Sequence, residues 1–288
     1  PELPSSVEIV FSTWGMPRLD QDLLDRLPNL KAVFYAAGSV RSFVTDASWK
    51  RGIRIFSAAH INAIPVAEFT VARIILGLKQ AETLRVRKAG DWASARTLKG
   101  SMQGNFRSRV GLISYGSIAR LVRERLSGYD HDVWVYDPFL SENEAAEAGV
   151  RLAGLDEIFR ECHAVSLHTP LLEETTGLIR GEHFAAMREG AIFINTSRGA
   201  VIRQSEMCDV LGSRPDLTAY LDVLESEPPQ EEVPLFSLPN VHVTPHIAGS
   251  MGHECSRMAV AMFEAFQKYQ AGEASGLEVV EADMDHIA

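Results

Sequence analysis

The sequence predicts an α/β fold made of two doubly wound parallel-sheet domains. Short β-branched, apolar runs of buried-strand length alternate with segments of helical periodicity in two blocks, one before residue 70 and one from Arg109 onward. A glycine-containing turn follows the first run of the second block, where a doubly wound sheet binds a nucleotide. The 288 residues suffice for two ordinary domains, and 46% hydrophobic with 23% charged residues is typical of a folded globular protein.

The first block contains three predicted strands, one short helix and one long helix. The strands are predicted at 7–11, 30–35 and 53–56, and the short helix at 20–27. Residues 66–78 are predicted to be helical because apolar residues recur at that spacing, with Pro65 suited to the first turn and Glu68 near the positive end. The charges of Glu68 and Arg73 indicate a helix of a folded domain, so no membrane span is expected.

The second block follows a segment, 89–109, that lacks periodicity and is predicted to form an irregular arm. Strands are predicted at 110–114, 133–136, 163–168, 191–195, 217–223 and 241–243, and helices at 117–126 and 252–270. We therefore predict a nucleotide-binding domain at 71–248, inserted in a substrate domain made of 1–70 and 249–288. A cleft between two such domains is a common place for a small-molecule site.

Charge and cysteine content exclude several classes of function. A formal net charge of −10 without basic runs argues against a nucleic-acid partner, whose phosphates require clustered Lys and Arg. Cys162, Cys208 and Cys255 are too few and too scattered for a disulfide framework, which favours the reducing cytoplasm. No pair of His or Cys residues has the close spacing of a zinc ligand set near a third ligand, so no metal site is predicted. The N-terminal residues have no basic stretch typical of a signal peptide.

The turn at 114–119 (SYGSIA) is compared with the dinucleotide pattern G-x-G-x-x-G/A. Gly116 lets backbone N–H groups approach a pyrophosphate, and Ala119 is small enough for close helix packing. Ser114 departs from the pattern, because a glycine normally serves the tight turn at that position. Asp137 ends the next strand and is expected to accept hydrogen bonds from ribose hydroxyls. The following residues, Pro138-Phe-Leu, contain no cation for a 2′-phosphate, which favours NAD over NADP.

Three segments place an arginine, a carboxylate and a histidine just past short apolar runs: Arg198 in NTSRG, Glu227 in ESEP and His246 in TPH. A cation, an orienting base and a proton carrier suggest redox chemistry on a small 2-oxo or 2-hydroxy acid. Glu227 follows Arg198 by 29 positions and precedes His246 by 19. In this order and spacing, from about Val33 to Ser250, the chain resembles the D-isomer-specific 2-hydroxyacid dehydrogenases.

The resemblance implies a Rossmann-like nucleotide domain inserted in a flavodoxin-like substrate domain. It also implies an NAD-dependent oxidoreductase that interconverts a 2-oxo acid and a D-2-hydroxy acid. His246 is the expected acid/base, Glu227 its orienting carboxylate, with Glu225 as the competing choice, and Arg198 the substrate-binding cation. The implied cofactor residues are Tyr115, Gly116, Ser117, Ile118, Asp137, His168, Thr169, Pro170, Thr196, Ser197, Asp222, His246, Ala248 and Gly249.

The substrate residues implied by the resemblance are Trp14, Gly38, Ser39, Arg198 and His246. Backbone N–H groups near Gly38 and Ser39 are expected to hold the carboxylate. Trp14 and Met16 favour a hydrophobic 2-oxo acid, although Trp14 packing under a loop is an equal alternative. A homodimer is expected. Two further alternatives are an NAD-sensing, corepressor-like binding protein of the same fold and a formate or phosphite dehydrogenase; formate enzymes place Gln in the role of Glu227.

Overall fold

The computed structural model describes residues 5–86, 88–98, 103–229 and 233–285. It divides into two compact units: unit 1, Pro1–Pro65 with Gly249–Ala288, and unit 2, Val66–Ala248. The boundary predicted from the sequence falls after residue 70, whereas this division falls after Pro65. The boundary after Ala248 is the same in both.

Unit 1 is built on a four-stranded sheet. Its strands are β1 (Ile9–Ser12), β2 (Ala32–Tyr35), β3 (Arg54–Ser57) and β11 (Glu278–Val279), in the order β1-β2-β3-β11. Its helices are α1 (Gln21–Arg26), α2 (Asp46–Lys50), the first residues of α3 (Ala59–Leu78) and α10 (Glu254–Ala271). The first three strands are parallel as predicted, but β11 is antiparallel to β3, which corrects the expectation of a wholly parallel sheet.

Unit 2 is built on a seven-stranded parallel sheet in the order β10-β9-β8-β7-β4-β5-β6. Its strands are β4 (Arg109–Ile113), β5 (Asp132–Tyr136), β6 (Arg151–Leu152), β7 (Ala164–Leu167), β8 (Ile192–Asn195), β9 (Thr218–Leu221) and β10 (Val241–Val243). Its helices, besides the rest of α3, are α4 (Asp91–Leu98), α5 (Ser117–Leu126), α6 (Glu142–Glu147), α7 (Leu155–Glu161), α8 (Gly181–Ala186) and α9 (Gln204–Ser213). The predicted α/β class is confirmed.

Both faces of this sheet are covered. On one face, α3, α5 and α6 bury residues such as Ile74 and Val122 against Leu112. On the other, α7, α8 and α9 bury residues such as Phe159 against Phe193. Successive strand residues therefore alternate between two apolar cores, which is why these strands read as continuous hydrophobic runs.

Helix α3 begins at Ala59, earlier than the predicted start at residue 66. The Ala59 N–H donates to Ser57 Oγ at 3.1 Å, so a serine at the strand end caps the first turn and leaves Pro65 inside the helix. By length and a mean hydropathy of 1.6 this helix alone among the described ones could cross a membrane. Its Ala67 and Ile74 side chains are fully buried in the core of unit 2, as in a helix of a folded domain.

Helix α4 corrects the prediction of an irregular arm at 89–109. Trp92 on this helix is 62% exposed, and the neighbouring side chains are mostly exposed as well. A helix that buries no stripe of side chains has no apolar periodicity to detect. Asp91 in the first turn and Arg96 in the last turn favour the helix through its dipole.

Candidate active and cofactor site

The order of strands in unit 2 reverses between β4 and β7, which are neighbours in the sheet. β5 and β6 extend the sheet on one side of this pair, and β8, β9 and β10 on the other. Ligands of open α/β sheets bind at such a reversal, outside the carboxyl ends of the strands. Residues 114–118 and 168–170, which the sequence assigned to a cofactor, directly follow β4 and β7.

The turn after β4 leaves the start of α5 open. Gly116 is the N-cap of α5 and provides no side-chain hydrogen bond to the first turn. A Cβ at Gly116 would meet no protein atom within 4 Å. The exposed Ser117 and the half-buried Ile118 follow it. Backbone N–H groups at an uncapped helix N-terminus, with space beside them, suit a pyrophosphate.

Tyr115 is buried beneath this turn. Its N–H donates to Asp137 Oδ2 at 2.7 Å, and the Arg120 guanidinium lies 4.7 Å from its ring centre. Burial raises the pKa of the Tyr115 hydroxyl, against the opposing effect of Arg120 and Arg123. Tyr115 therefore supports the turn as a neutral, packed side chain.

Asp137 is half-buried at the end of β5. Besides the Tyr115 bond, its Oδ1 accepts the Phe139 N–H at 2.8 Å. These bonds fix the carboxylate, and each oxygen keeps a lone pair that can accept a ribose hydroxyl. This arrangement suits the ribose role assigned from the sequence.

Polar atoms near the carboxyl end of β7 are buried without protein partners. Both ring nitrogens of His168 and the Ser166 hydroxyl have no hydrogen-bond partner among the described residues. Burial lowers the pKa of His168 to about 3, so the ring is neutral. Thr169 is buried and Pro170 half-buried. Unsatisfied buried polar groups beside an open helix N-terminus fit a dinucleotide.

His246 and Glu227 form a hydrogen bond, with 2.7 Å between Nδ1 and Oε2. Glu227 Oε1 accepts the Leu224 N–H at 2.9 Å, which fixes the carboxylate on its own loop. Glu225 instead is exposed, and its N–H donates to Gln204 Oε1. The structure thus brings Glu227, and not Glu225, to the histidine.

Asp222 holds the segment that carries His246. Its Oδ1 accepts the Thr244 hydroxyl at 2.6 Å and the Ile247 N–H at 2.9 Å, and its Oδ2 accepts the N–H of the buried Ala248 at 2.8 Å. Its carbonyl accepts the His246 N–H at 2.8 Å. Asp222, assigned from the sequence to the nicotinamide carboxamide, is therefore also a brace for residues 244–248.

Arg198 is mostly buried in the turn after β8. Burial lowers its pKa, and the nearby Glu227 carboxylate opposes that shift. Its Nη1 donates to the Ser197 carbonyl at 2.7 Å. A Cβ at Gly199 would lie 1.9 Å from the carbonyl carbon of Leu224, so the arginine turn touches the loop of Glu227 backbone to backbone. Arg198, Glu227 and His246 are thus linked by contacts within unit 2.

Two side chains that support this turn were missed by the sequence analysis. Asn195, fully buried, accepts the Ser197 N–H at 2.9 Å and donates to the Arg198 carbonyl at 3.2 Å. Thr70 on α3 forms a hydroxyl hydrogen bond of 3.2 Å with Thr196. The sequence contained one signal for each: Asn195 is a polar residue at the end of an apolar strand, and Thr70 is a threonine in an apolar helix.

The remaining assigned residues lie in unit 1. Trp14 is 54% exposed, and the Gly38 carbonyl accepts the Ser57 hydroxyl at 2.7 Å. Ser39 is half-buried. Asn62, also missed, accepts the Ser250 N–H at 2.8 Å. Its side-chain amide would lie 3.4 Å from a Cβ at Gly38 and 3.2 Å from a Cβ at Gly249, so both glycines pack closely against it.

No group of three or more His, Cys, Asp or Glu side chains within the described ranges could hold a metal ion.

Comparison with known proteins gives the family. A family model for the D-isomer specific 2-hydroxyacid dehydrogenase NAD binding domain matches residues 74–248. The D-3-phosphoglycerate dehydrogenase of Archaeoglobus fulgidus is 30% identical over 250 residues, which cover 86% of this chain and 46% of that protein. The chain thus spans about half the length of that relative. The (S)-sulfolactate dehydrogenase of Chromohalobacter salexigens is 34% identical over 235 residues, 81% of this chain and 75% of that protein.

The fold is similar to that of the apo form of Rhodotorula graminis D-mandelate dehydrogenase, with a TM-score of 0.83 and 22% identity over 95% of this chain and 84% of that one. NAD is the cofactor of the matching domain family, and the open turn at Gly116 and the fixed carboxylate of Asp137 fit it. The chain belongs to the D-isomer-specific 2-hydroxyacid dehydrogenase family.

Proposed function

We propose that this protein is an NAD-dependent oxidoreductase that interconverts a 2-oxo acid and a D-2-hydroxy acid. The observation that carries the proposal is the His246–Glu227 pair at 2.7 Å, on a loop packed against the turn of Arg198. A histidine held by a carboxylate and set near a buried cation is the arrangement that carbonyl reduction requires.

NADH, when bound, supplies the hydride that reaches the carbonyl carbon of the 2-oxo acid. Glu227 holds Nδ1 of His246, which fixes the tautomer and leaves Nε2 to donate a proton to the carbonyl oxygen. In the opposite direction, Nε2 accepts the proton of the 2-hydroxyl group. The Glu227 carboxylate stabilises the protonated ring in both directions.

Arg198 holds the substrate carboxylate or polarises the carbonyl in this proposal. A guanidinium in a mostly buried position has lost part of its hydration, so an anionic substrate group meets a stronger electrostatic attraction than it would at the surface. In unit 1, backbone N–H groups near Gly38 and Ser39 are the proposed second contact for the carboxylate.

The substrate class has two candidates. Trp14, 54% exposed, favours a hydrophobic 2-oxo acid; Met16 no longer supports this choice, because it packs against the core of unit 1. The relatives named for phosphoglycerate and sulfolactate favour an anionic substituent instead. We propose a hydrophobic 2-oxo acid as the substrate, because Trp14 is a residue of this chain, whereas the anionic substituent is indicated only by the names of relatives.

A panel of 2-oxo acids with NADH, followed at 340 nm, tests the proposal. It pairs aromatic and branched 2-oxo acids with sulfonated and phosphorylated ones, and adds formate with NAD. We expect oxidation of NADH with the aromatic or branched acids. NADH binding without turnover of any acid would contradict the enzyme and favour the corepressor-like alternative. Turnover of formate would contradict the carboxylate assignment at Glu227.

We also propose a homodimer in the cytoplasm. Large apolar side chains of unit 2, including Trp92 and Phe106 at 62% and 66% exposed, suit a partner surface. All three cysteines are free, as in a reducing compartment. Light scattering is expected to give a dimer mass, with Trp92→Asp shifting it toward the monomer. A monomer mass for the wild-type protein would contradict the dimer. Fractionation of the source cell tests the cytoplasmic location.

A further inference from the structure

Ser114 occupies a backbone conformation that favours glycine. Its φ is 70°, in the left-handed region where a Cβ is disfavoured. The left-handed conformation explains why the family pattern has its first glycine at this position. It does not explain why this chain has a serine there. The strain therefore points to a contact made by the serine side chain.

The Ser114 hydroxyl makes a hydrogen bond of 2.9 Å to the Thr169 hydroxyl. The two residues follow β4 and β7, the neighbouring strands where the strand order reverses. The last backbone bond between these strands is from the His168 N–H to the Ile113 carbonyl, at 2.9 Å. The hydroxyl pair joins the two segments just beyond this bond, one residue past the end of β4 and two residues past the end of β7, with side chains in place of backbone.

We propose that the Ser114–Thr169 hydroxyl pair is a positioning device for NAD. It ties the turn at 114–119, which the dinucleotide pattern assigns to the pyrophosphate, to residues 168–170, which the family resemblance puts beside the nicotinamide ribose. Fixing two ligand-binding segments before the ligand arrives lowers the entropy lost on binding. A glycine at 114 makes the same turn without strain but cannot form this tie.

The inference rests on NAD binding by residues 74–248 and not on the proposed turnover. It assigns Ser114 an indirect role through Thr169, which differs from a direct hydroxyl contact with the cofactor. A double-mutant cycle separates the two roles, because only the indirect role makes the effects of the two side chains interdependent.

The experiment measures NADH affinity by fluorescence titration, and thermal unfolding without cofactor, for Ser114→Ala, Ser114→Gly, Thr169→Val and the double variant Ser114→Ala with Thr169→Val. Thr169→Ser, which keeps the hydroxyl, is the matched control. We expect each single loss of a hydroxyl to weaken NADH binding about three- to tenfold, the effect of one net hydrogen bond. The double variant is expected to be no weaker than either single variant.

Thermal unfolding separates the hydroxyl from the backbone. Ser114→Gly is expected to bind NADH as weakly as Ser114→Ala does. It is expected to unfold at a higher temperature than Ser114→Ala, since glycine relieves the left-handed strain that alanine keeps. Wild-type affinity in Ser114→Gly would overturn the proposal, and so would additive losses in the double variant. Turnover is not measured, so a failure of the proposed dehydrogenase activity would leave these results unchanged.

Discussion

His246 and Ser114 are the two residues of the candidate site with left-handed backbones, at φ values of 54° and 70°. Neither is glycine, and each is held by several hydrogen bonds from neighbouring segments. Strain of this kind persists only where the surrounding contacts outweigh it, and such positions cluster at functional sites. At His246 those contacts come from Asp222 and Glu227, so one carboxylate supports the backbone of the histidine and the other its ring.

Replacement of His246 by Asn is expected to remove most turnover while NADH binding persists. General acid catalysis contributes about 10²- to 10⁴-fold, and asparagine cannot donate the proton in its place. Steady-state kinetics at 340 nm and a fluorescence titration of NADH measure the two effects. Turnover close to wild type in His246→Asn would remove the acid/base assignment.

Replacement of Glu227 by Gln is expected to move the pH profile of 2-oxo acid reduction to lower pH. The protonated imidazole loses the carboxylate that lies 2.7 Å from Nδ1, so it releases its proton more readily as the pH rises. Glu225→Gln is the matched control and should leave the profile unchanged, because Glu225 is exposed and the carboxylate that contacts His246 is that of Glu227. The opposite pattern would reassign the role to Glu225.

Asp137 is expected to determine the choice of NADH over NADPH. Loss of a carboxylate acceptor in Asp137→Ala should weaken NADH binding about tenfold and narrow the preference over NADPH. Asp137→Asn keeps an acceptor for the Tyr115 N–H and removes only the charge, so it should narrow the preference with a smaller loss of affinity. A wild-type preference for NADPH would contradict the ribose assignment.

Among the elements, the turn from β8 and the loop after β9 depend on each other through one backbone contact. Gly199 and Leu224 approach so closely that no side chain fits between them. This contact transmits the position of β8 to the loop of Glu227, because the two backbones have no flexible side chain between them to absorb a shift. Gly199 is thus a glycine because the backbone of Leu224 leaves no room for a Cβ. At Gly116 the protein leaves that room, and the expected pyrophosphate is the reason for the glycine.

Gly199→Ala is expected to lower the free energy of unfolding by about 1–3 kcal/mol, the usual cost of an overpacked site. Gly116→Ala is the control: its Cβ meets nothing within 4 Å, so stability should change by less than about 0.5 kcal/mol while NADH binding weakens. Urea denaturation and NADH titration of both variants measure this. Equal stability of the two variants would contradict the close approach.

Most strands and the helices with a long apolar periodicity were predictable from the sequence, whereas the helices α6 to α9, of six to ten residues, were not given bounds. Helix α5 begins and ends where its periodicity predicted, because it buries one face against the sheet. Helix α4 buries little and was missed. The strands β6 and β11 have two residues each, too few to show a period of two, so the antiparallel edge of unit 1 was missed as well.

For the whole molecule, parallel topology explains why distant residues could be predicted to act together. β8, β9 and β10 are consecutive neighbours in the sheet, so the segments of Arg198, Glu227 and His246 that follow them lie at one edge. The sequence supported the order and spacing of these three segments along the chain, each just past a short apolar run. The tie between Ser114 and Thr169 and the brace from Asn195 depend on side-chain contacts that no periodicity reveals.

Stability is expected to fall as the solution is acidified, and His168 contributes to that fall. Its folded-state pKa of about 3 lies below the value of about 6.5 in an unfolded chain, so between these values only the unfolded state binds the proton. The stability that the neutral His168 ring contributes is fully present above pH 6.5 and is lost as the pH falls from there toward 3. From pH 7 to pH 5 this amounts to about 2 kcal/mol.

Urea denaturation of the wild type and of His168→Gln at both pH values tests this contribution. The glutamine does not titrate, so the variant should lose about 2 kcal/mol less than the wild type between pH 7 and pH 5. His131, His163 and His242, whose pKa values are also lowered by burial, act equally in both proteins. An identical pH dependence in both would contradict a buried neutral ring at position 168.

The discontinuity of unit 1 has a consequence for its synthesis. Its strands β1 to β3 are synthesised before residues 66–248, and α10 is synthesised only after them, an interval of roughly 10 to 40 s at usual elongation rates. Met258 and Met262 of α10 cover the stacked rings of Phe34 and Phe56. Until they arrive, a nascent chain presents an uncovered aromatic surface, and chaperone binding during translation should concentrate on chains that have not reached residue 254.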